Sequence, residues 1–271
     1  MTERLIESGD GPAACTGPVD DERRFFGMGQ LFGPSSLLAL RSAHVCVIGV
    51  GGVGSWTVEA LVRSAVGRLT LIDLDHVAES NLNRQIHALQ STVGAAKVQV
   101  MKARIADISP HCAVAAVEDF LTVDNAEALV PEGAVLIDAI DQVRPKAALA
   151  ALARARGQAL LMCGAAGGRR DPLRLARGDL ALVRGDALLA SVRARLRRDH
   201  GYAREKGRPF GVPVICSDEP VSGGPRGQAG APLACAGYGS VVTVTAAMGF
   251  AAAAWAISAI VDQKPSRGRR V

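Results

Sequence analysis

Apolar residues along this chain gather in short runs, separated by longer stretches where they recur at helical spacing. His44–Ile48 (HVCVI) alternates into Gly49, and Arg68–Asp73 (RLTLID) ends in an acid. Ala113–Phe120, Val135–Asp138 and Ala159–Cys163 complete a set of five strand-like runs. Between them Trp56–Ser64, Lys97–Ile108 and Pro145–Arg156 carry the spacing of helices packed on one side. Upstream, Arg23–Leu40 reads as an amphipathic arm and helix, with Pro34 and Ser35 as natural helix starts. Strands alternating with helices predict an α/β, Rossmann-like fold: a mostly parallel sheet with helices on both faces.

The pattern weakens after Gly164. Residues 165–237 are rich in Arg, Gly and Pro, and the segment SGGPRGQAGAP is expected to form part of a mobile loop. Tyr238–Val261 is almost free of charge and long enough to cross a bilayer. Its Ala, Gly, Ser and Thr content makes insertion weakly favourable, so it is expected as a C-terminal helix packed on the sheet, without membrane association. The chain thus divides into a flexible lead over 1–22, a main domain over 23–164, and a C-terminal extension over 165–271. That extension holds a crossover loop, a basic region and the apolar helix.

Composition agrees with a packed core. Of 271 residues, 49% are hydrophobic and 21% charged, which excludes disorder as the default. The net charge of +5 is unevenly spread: from Arg169 to Arg208 there are twelve Lys and Arg against five Asp and Glu. The tail adds Lys264, Arg267, Arg269 and Arg270. A basic region of this kind suits a polyanion such as RNA, with Arg195, Arg197 and Arg198 as candidate phosphate contacts; a solvated surface is the plainer alternative. Six cysteines lie far apart with no C-x-x-C pair, so no zinc is expected. With no basic-then-apolar leader at the N-terminus, the expected setting is a reducing cytoplasm with free thiols.

The first chemical motif is Gly49-Val50-Gly51-Gly52-Val53-Gly54, which follows a strand and opens a helix. Glycines let the backbone turn tightly and approach phosphate, and the N–H groups of the helix start face the anion. Asp73, 22 residues after Gly51, stands where a carboxylate accepts hydrogen bonds from ribose hydroxyls. These two features indicate a nucleotide and leave NAD, FAD, SAM and ATP open. The run from Asp75 to Gln85 (DHVAESNLNRQ) then brings Asn81, Arg84 and Gln85 past the ribose position, and Lys97 follows on the next helix. Two cations aimed at one nucleotide suit a triphosphate better than a dinucleotide. Asp138-Ala139-Ile140-Asp141 ends another strand, where an Asp can hold Mg²⁺ on phosphate oxygens; a helix cap is the alternative for Asp141.

GVGGVG, LIDLDHVAESNLNRQ, the Lys97 helix and DAIDQVRPK together resemble the E1-like superfamily in its ThiF/MoeB/HesA branch. Within it, RFFG…LFG, SNLNRQIHAL, GAAGGRRDP and GYGSVVTVTAAMGF are similar to the tRNA threonylcarbamoyladenosine dehydratase group. The resemblance implies an ATP-binding adenylation domain over 23–164. Gly49, Gly51, Gly52 and Gly54 would lie at the nucleotide, Asp73 at the ribose with Asp75 beside it, and Asn81, Arg84, Gln85 and Lys97 at the phosphates. Asp141 would hold Mg²⁺ and steer attack on the α-phosphorus. It also implies a homodimer in which Arg24 reaches the partner's site, although Gln30 stands where the group carries an Arg. The implied substrates are ATP and tRNA carrying threonylcarbamoyladenosine, with a sulfur-relay protein as a further candidate partner. Adenylation of a ubiquitin-like sulfur carrier is the alternative. The absent C-x-x-C pairs and the Arg-rich loop speak against it, and Cys216 is displaced from the crossover cysteine of those relatives, which leaves it a structural thiol. An NAD-dependent oxidoreductase lacks a recognisable catalytic pair here, and a non-catalytic nucleotide-binding adaptor is the remaining alternative.

Overall fold

A computed structural model describes residues 19–222 and 238–262. The expected lead over 1–22 lies outside these residues except for its last four positions. Cys15, Cys235, the basic tail from Lys264 and all of SGGPRGQAGAP but Ser222 also lie outside them.

The described chain runs α1 (Asp21–Arg24), α2 (Phe26–Phe32), α3 (Pro34–Ser42), β1 (His44–Ile48), α4 (Gly54–Arg63), β2 (Arg68–Ile72), α5 (Lys97–Ile108), β3 (Ala113–Val117), α6 (Ala126–Leu129), β4 (Val135–Asp138), α7 (Val143–Arg156), β5 (Leu160–Cys163), β6 (Leu175–Asp179), α8 (Ala187–Asp199), β7 (Pro213–Ser217) and α9 (Val242–Val261). The sheet order is β3-β2-β1-β4-β5-β7-β6, parallel throughout except for β6, which pairs antiparallel with β7 at one edge. Parallel strands buried on both faces read as continuous apolar runs, as HVCVI and VLID do.

Successive residues of a strand face opposite sides. Val45 and Val47 therefore join a core built with α4, α5 and α9, while Cys46 and Ile48 join a second core under α6, α7 and α8. Register places the functional edge. Ile48 pairs with Ile72 on one side and with Asp138 on the other, so β1, β2 and β4 end level. The glycine loop, Asp73 and the DAID turn consequently leave the sheet at the same edge, the position where open α/β sheets bind ligands.

Three features depart from the sequence reading. Residues beyond Gly164 extend the same sheet, because β7 pairs with β5 and β6 with β7. LARGD carries two charged residues in five and is nowhere fully buried at its edge, so it lacks the apolar signature of a strand. β3 stops at Val117, the partner of Ile72 at the end of β2, rather than at Phe120. The helix after the glycine loop starts at Gly54, two residues before Trp56.

The segment Val242–Val261 is a single helix, long and apolar enough to cross a membrane by length and composition, and half of its most apolar window is buried in the fold. α9 packs chiefly against α4. The approach is closest at Gly249, where an added Cβ would meet the Val53 carbonyl oxygen at 2.6 Å and the Thr57 nitrogen at 3.0 Å. Thr57 Oγ1 donates to Gly249 O at 3.2 Å across this contact. In Gly249→Ala the backbone atoms it meets cannot swing aside. Overpacking of about 1–3 kcal/mol should exceed the helix-propensity gain of up to about 1 kcal/mol. Urea unfolding of the variant is expected to show a net loss of about 1–2 kcal/mol; equal or greater stability would mean that α4 and α9 are not this close.

Candidate active site

At the shared edge lies a cavity of about 320 Å³. Among the residues expected from sequence, Gly49, Gly51, Gly52, Asp73, Asp75, Asn81, Arg84, Gln85, Lys97 and Asp141 all line it. Gly54 does not; it closes the turn instead. Gly49 adopts φ +86°, a region L side chains rarely occupy, and a Cβ on Gly54 would overlap the Gly49 carbonyl. The loop can therefore fold back over the sheet end only as glycine at both positions.

Asp73 joins two parts of the site. Its Oδ2 accepts from Val50 N at 2.7 Å and its Oδ1 from Asp75 N at 2.9 Å, so one carboxylate fixes the glycine loop and the segment after β2. Burial raises its pKa; Lys97 and the two amides oppose that shift. Lys97 opens α5, where the helix dipole disfavours a cation. The disfavoured charge is held by Asp75, whose Oδ2 accepts from Nζ at 2.7 Å. Asn81 Oδ1 accepts from Ala78 N, and Arg84 Nη1 donates to Ser80 O and Asn83 Oδ1. These bonds orient both side chains from the loop that carries them.

The DAID turn rests on a buried ion pair. Lys146 Nζ lies 2.9 Å from Asp138 Oδ1, and both side chains are fully buried. The same Oδ1 accepts from Ile140 N, which bends the chain so that Asp141 stands exposed at the cavity wall. Complete burial raises the Asp138 pKa, and Lys146 opposes the shift.

Arg24 lies elsewhere. Its Nη1 donates to Ile108 O at the C-terminal end of α5, roughly 16 Å along the helix from Lys97 at 1.5 Å per residue. Cys216 is buried in β7 with its pKa pushed up to about 11 by burial, so at neutral pH it is a thiol rather than a nucleophilic thiolate.

Several lining residues escape the sequence reading. Asp119, Phe120 and Leu121 lie at and just past the end of an expected strand, and Gln142, the Gly164–Ala166 turn and Thr245 fall in the quoted family motifs without a role at the ligand being assigned to them. Thr245 comes from α9, and its Cγ2 is 3.2 Å from where a Cβ on Gly52 would lie. A small-residue helix holds no local signal of such a contact.

Four carboxylates (Asp73, Asp75, Asp119 and Asp141) and two cations (Arg84 and Lys97) line the cavity. A polyphosphate entering this acid excess would be repelled by it, and a divalent cation would offset that repulsion. Among the described residues no three His, Cys, Asp or Glu side chains form a metal cage. A magnesium ion carried on phosphates and held by one or two carboxylates fits this donor set.

Residues 27–270 match the ThiF family. The chain belongs to the ThiF family. Relatives within it include the tRNA threonylcarbamoyladenosine dehydratase of Escherichia coli (strain K12), 42% identical over 91% of this chain and 96% of that protein. The enzyme of the same name from Haemophilus influenzae is 40% identical over 89% and 93%. A crystal structure of the E. coli dehydratase, TcdA, in complex with ATP superposes with a TM-score of 0.82 at 40% identity, covering 91% of this chain and 98% of that one. The glycine loop, the acid after β2 and the Lys97 helix of this ThiF-family chain thus sit in a fold whose relative binds ATP.

Near Lys97 is a buried group that the sequence reading does not single out. His87 is 1% exposed, and neither ring nitrogen has a partner among the described residues. Burial lowers its pKa to about 4, with repulsion from Lys97 and then Arg104 adding to the shift. An unfolded histidine titrates near 6.5. Above that pH neither state binds the proton, and the stability conferred by neutral His87 is fully present. As the pH falls toward 4 only the unfolded chain takes up the proton, and about 3 kcal/mol of stability is lost across the window. In His87→Leu the difference in unfolding free energy between pH 7 and pH 4 should shrink by about 2–3 kcal/mol. An unchanged difference would show that the ring is not held neutral in the fold.

Proposed function

We propose that this chain is an ATP-dependent dehydratase that cyclises N6-threonylcarbamoyladenosine in tRNA through an acyl-adenylate. The observation that carries the reading is the convergence of ten sequence-selected residues on one cavity, in a chain that matches dehydratases of this name over about nine-tenths of its length. In this reading Gly51 and Gly52 lie under the α-phosphate, Asp73 takes the ribose hydroxyls, and Asn81, Arg84, Gln85 and Lys97 hold the phosphates. The threonyl carboxylate attacks the α-phosphorus, an O–P bond forms, and pyrophosphate leaves. The ureido group then closes on the activated carbonyl and expels AMP, which carries away the carboxylate oxygen lost in the dehydration. Asp141 would hold a magnesium ion carried on the phosphates, and that ion would supply charge neutralisation at phosphorus.

Residues 23–164 would carry the nucleotide chemistry and 165–271 the acceptor side. A cytoplasmic homodimer accords with the exposed Phe26, Leu31 and Leu38 on α2 and α3, and with Arg24 lying outside its own cavity, where it could serve a second protomer. A sulfur-relay protein would be a further partner. No zinc enters this reading. The half-buried α9 supports a soluble enzyme.

The deciding measurement is pyrophosphate release from ATP, with threonylcarbamoyl-modified tRNA compared against a small carrier protein ending in Gly-Gly. Release driven by the tRNA alone is expected; release driven by the carrier alone would replace the acceptor. Asp73→Ala should weaken ATP binding by about 1.5–3 kcal/mol, through loss of a charged hydrogen bond, in calorimetric titration of the folded variant. Unchanged affinity would remove Asp73 from the nucleotide site. Asp141→Asn should lose turnover while largely keeping ATP affinity, and wild-type turnover at saturating magnesium would reduce Asp141 to a helix cap.

A further inference from the structure

The basic stretch 169–208 suggests an RNA surface on its helical arginines, but the structure engages those side chains within the fold. Arg193 Nη1 donates to Leu180 O and Val183 O. Arg197 Nε donates to Ala203 O, and its guanidinium covers the Phe210 ring at 5.2 Å. Arg195 and Arg198 both pair with Asp199, at 3.3 and 2.7 Å. These bonds leave the guanidinium charges largely in place but fix their directions within the fold, Asp199 offsetting one of the two charges that share it, so the α8 arginines are not free to turn toward a phosphate.

Three cations without an ion pair among the described residues follow segments that line the cavity or are bonded to them. Arg144 stands exposed in the first turn of α7, two residues after Gln142 of the cavity wall. A cation there meets the positive end of the helix dipole, so it detracts from the fold. Arg170 is exposed just beyond the Gly164–Ala166 turn of the wall. Arg184 is exposed two residues before Asp186, the N-cap of α8, whose Oδ2 accepts from Ala165 N in that same turn. Arg169 Nη2 donates to Gly185 O and so ties the Arg184 loop to the backbone next to Arg170. Among the described residues the side chains of Arg144, Arg170 and Arg184 form no ion pair. Behind them Arg169, 2% exposed, leaves Nε and Nη1 without partners among the described residues. The buried acids on this side are already engaged: Asp186 by the amides of Ala165 and Leu189, and Asp138 by Lys146. Glu219 accepts from the amides of Arg170 and Asp171, which brings one acid up to this rim.

We infer that Arg144, Arg170 and Arg184 form the phosphate-contact track that seats tRNA over the cavity, and that the arginines of α8 do not. The inference rests on the tRNA reading above and specifies which surface takes the RNA backbone. β4 and β5 are adjacent in the sheet, so the connections leaving their C-terminal ends carry Arg144 and Arg170, and the Asp186–Ala165 and Arg169–Gly185 bonds draw the Arg184 loop, which follows β6, to the same edge. There the three arginines can hold the backbone flanking a modified base inserted toward Asp141. Contacts to phosphate carry no sequence information, so they set register and affinity for any tRNA alike.

The test measures tRNA binding over a range of KCl concentrations for three proteins: the parent, Arg144→Ala/Arg170→Ala/Arg184→Ala, and Arg195→Ala/Arg197→Ala/Arg198→Ala. ATP affinity serves as the control for folding. Each lost phosphate contact lowers the slope of log affinity against log salt by about 0.7–0.9. The rim variant should therefore lose roughly 2–3 units of slope and roughly ten-fold or more in affinity, with ATP binding kept. The α8 variant should keep the parent's slope. If the rim variant loses ATP binding, Arg144→Gln and Arg184→Gln singly should each lower the slope by about 0.7–0.9. A parent slope in the rim variants, with flattening in the α8 variant, would overturn the inference and leave the tRNA reading standing. A parent that binds a Gly-Gly-ended carrier protein and no tRNA would overturn both.

Discussion

One carboxylate holds the site together. Asp73 accepts from Val50 N in the loop after β1 and from Asp75 N in the segment after β2. Neither loop has regular structure of its own at that point. Without Asp73 the carboxylate link between the glycine turn and the segment after β2 is lost, and the remaining ties run through Gly49 N to Ile72 O and Trp56 Nε1 to Arg84 O. The side chain that meets the ribose in the proposed reaction is therefore also the brace between the two loops that meet the phosphates. Its burial makes the charged form costly, and the cost is offset by two amides and the nearby Lys97. A charged group stabilised in this way is held in one geometry before any ligand arrives, and preorganisation of that kind is what an electrostatic site requires.

The second brace works at greater depth. Lys146 and Asp138 form an ion pair with no exposure at all, and Asp138 Oδ2 has no partner among the described residues. Removing one member of such a pair leaves an uncompensated buried charge, typically at a cost of about 3–5 kcal/mol. An apolar pair could fill the same space, so stability alone does not account for the ions. What they add is direction. Asp138 Oδ1 bonds Ile140 N and turns the chain outward, so that Asp141 leaves the core and faces the cavity. The two acids of DAID thus have separate roles. Asp138 is buried and sets the turn, and Asp141 is exposed where a ligand would meet it.

Much of this was legible in the sequence, and the limits have physical causes. HVCVI, RLTLID and VLID are continuous apolar runs because their strands are buried on both faces, so the central sheet was readable. So was its ligand edge, since each run ends in the residues that line it. The helix Lys97–Ile108 and the strand Val135–Asp138 fall at the expected positions. The edge strand β6 is hidden in the sequence because LARGD faces solvent and pairs antiparallel. α8 reads as a basic surface because its apolar side, Leu188, Leu189, Val192 and Leu196, is interleaved with arginines. Thr245 and Phe120 reach the cavity through contacts between segments far apart in the chain, and no local period records those. His87 and Lys146 are buried polar side chains, and the sequence shows the residue type without the burial that determines its chemistry.

α9 has a consequence for the order of biosynthesis. It supplies Thr245 to the cavity wall and covers α4 and the sheet with Val244, Met248, Ala252, Ala253 and Ala256. It is also the last helix made among the described residues. At 5–20 residues per second, a ribosome takes roughly 2–9 s to pass from the end of β7 to the end of α9. During that interval the other strands and helices have emerged, yet the part of the sheet that α9 covers stays bare and the nucleotide cavity lacks Thr245. A nascent chain at this stage exposes apolar surface that binds chaperones or other nascent chains, and its cavity is incomplete. The cavity wall is therefore completed only once α9 has been made, and damage to α9 would leave a sheet with its motifs intact and its site unfinished.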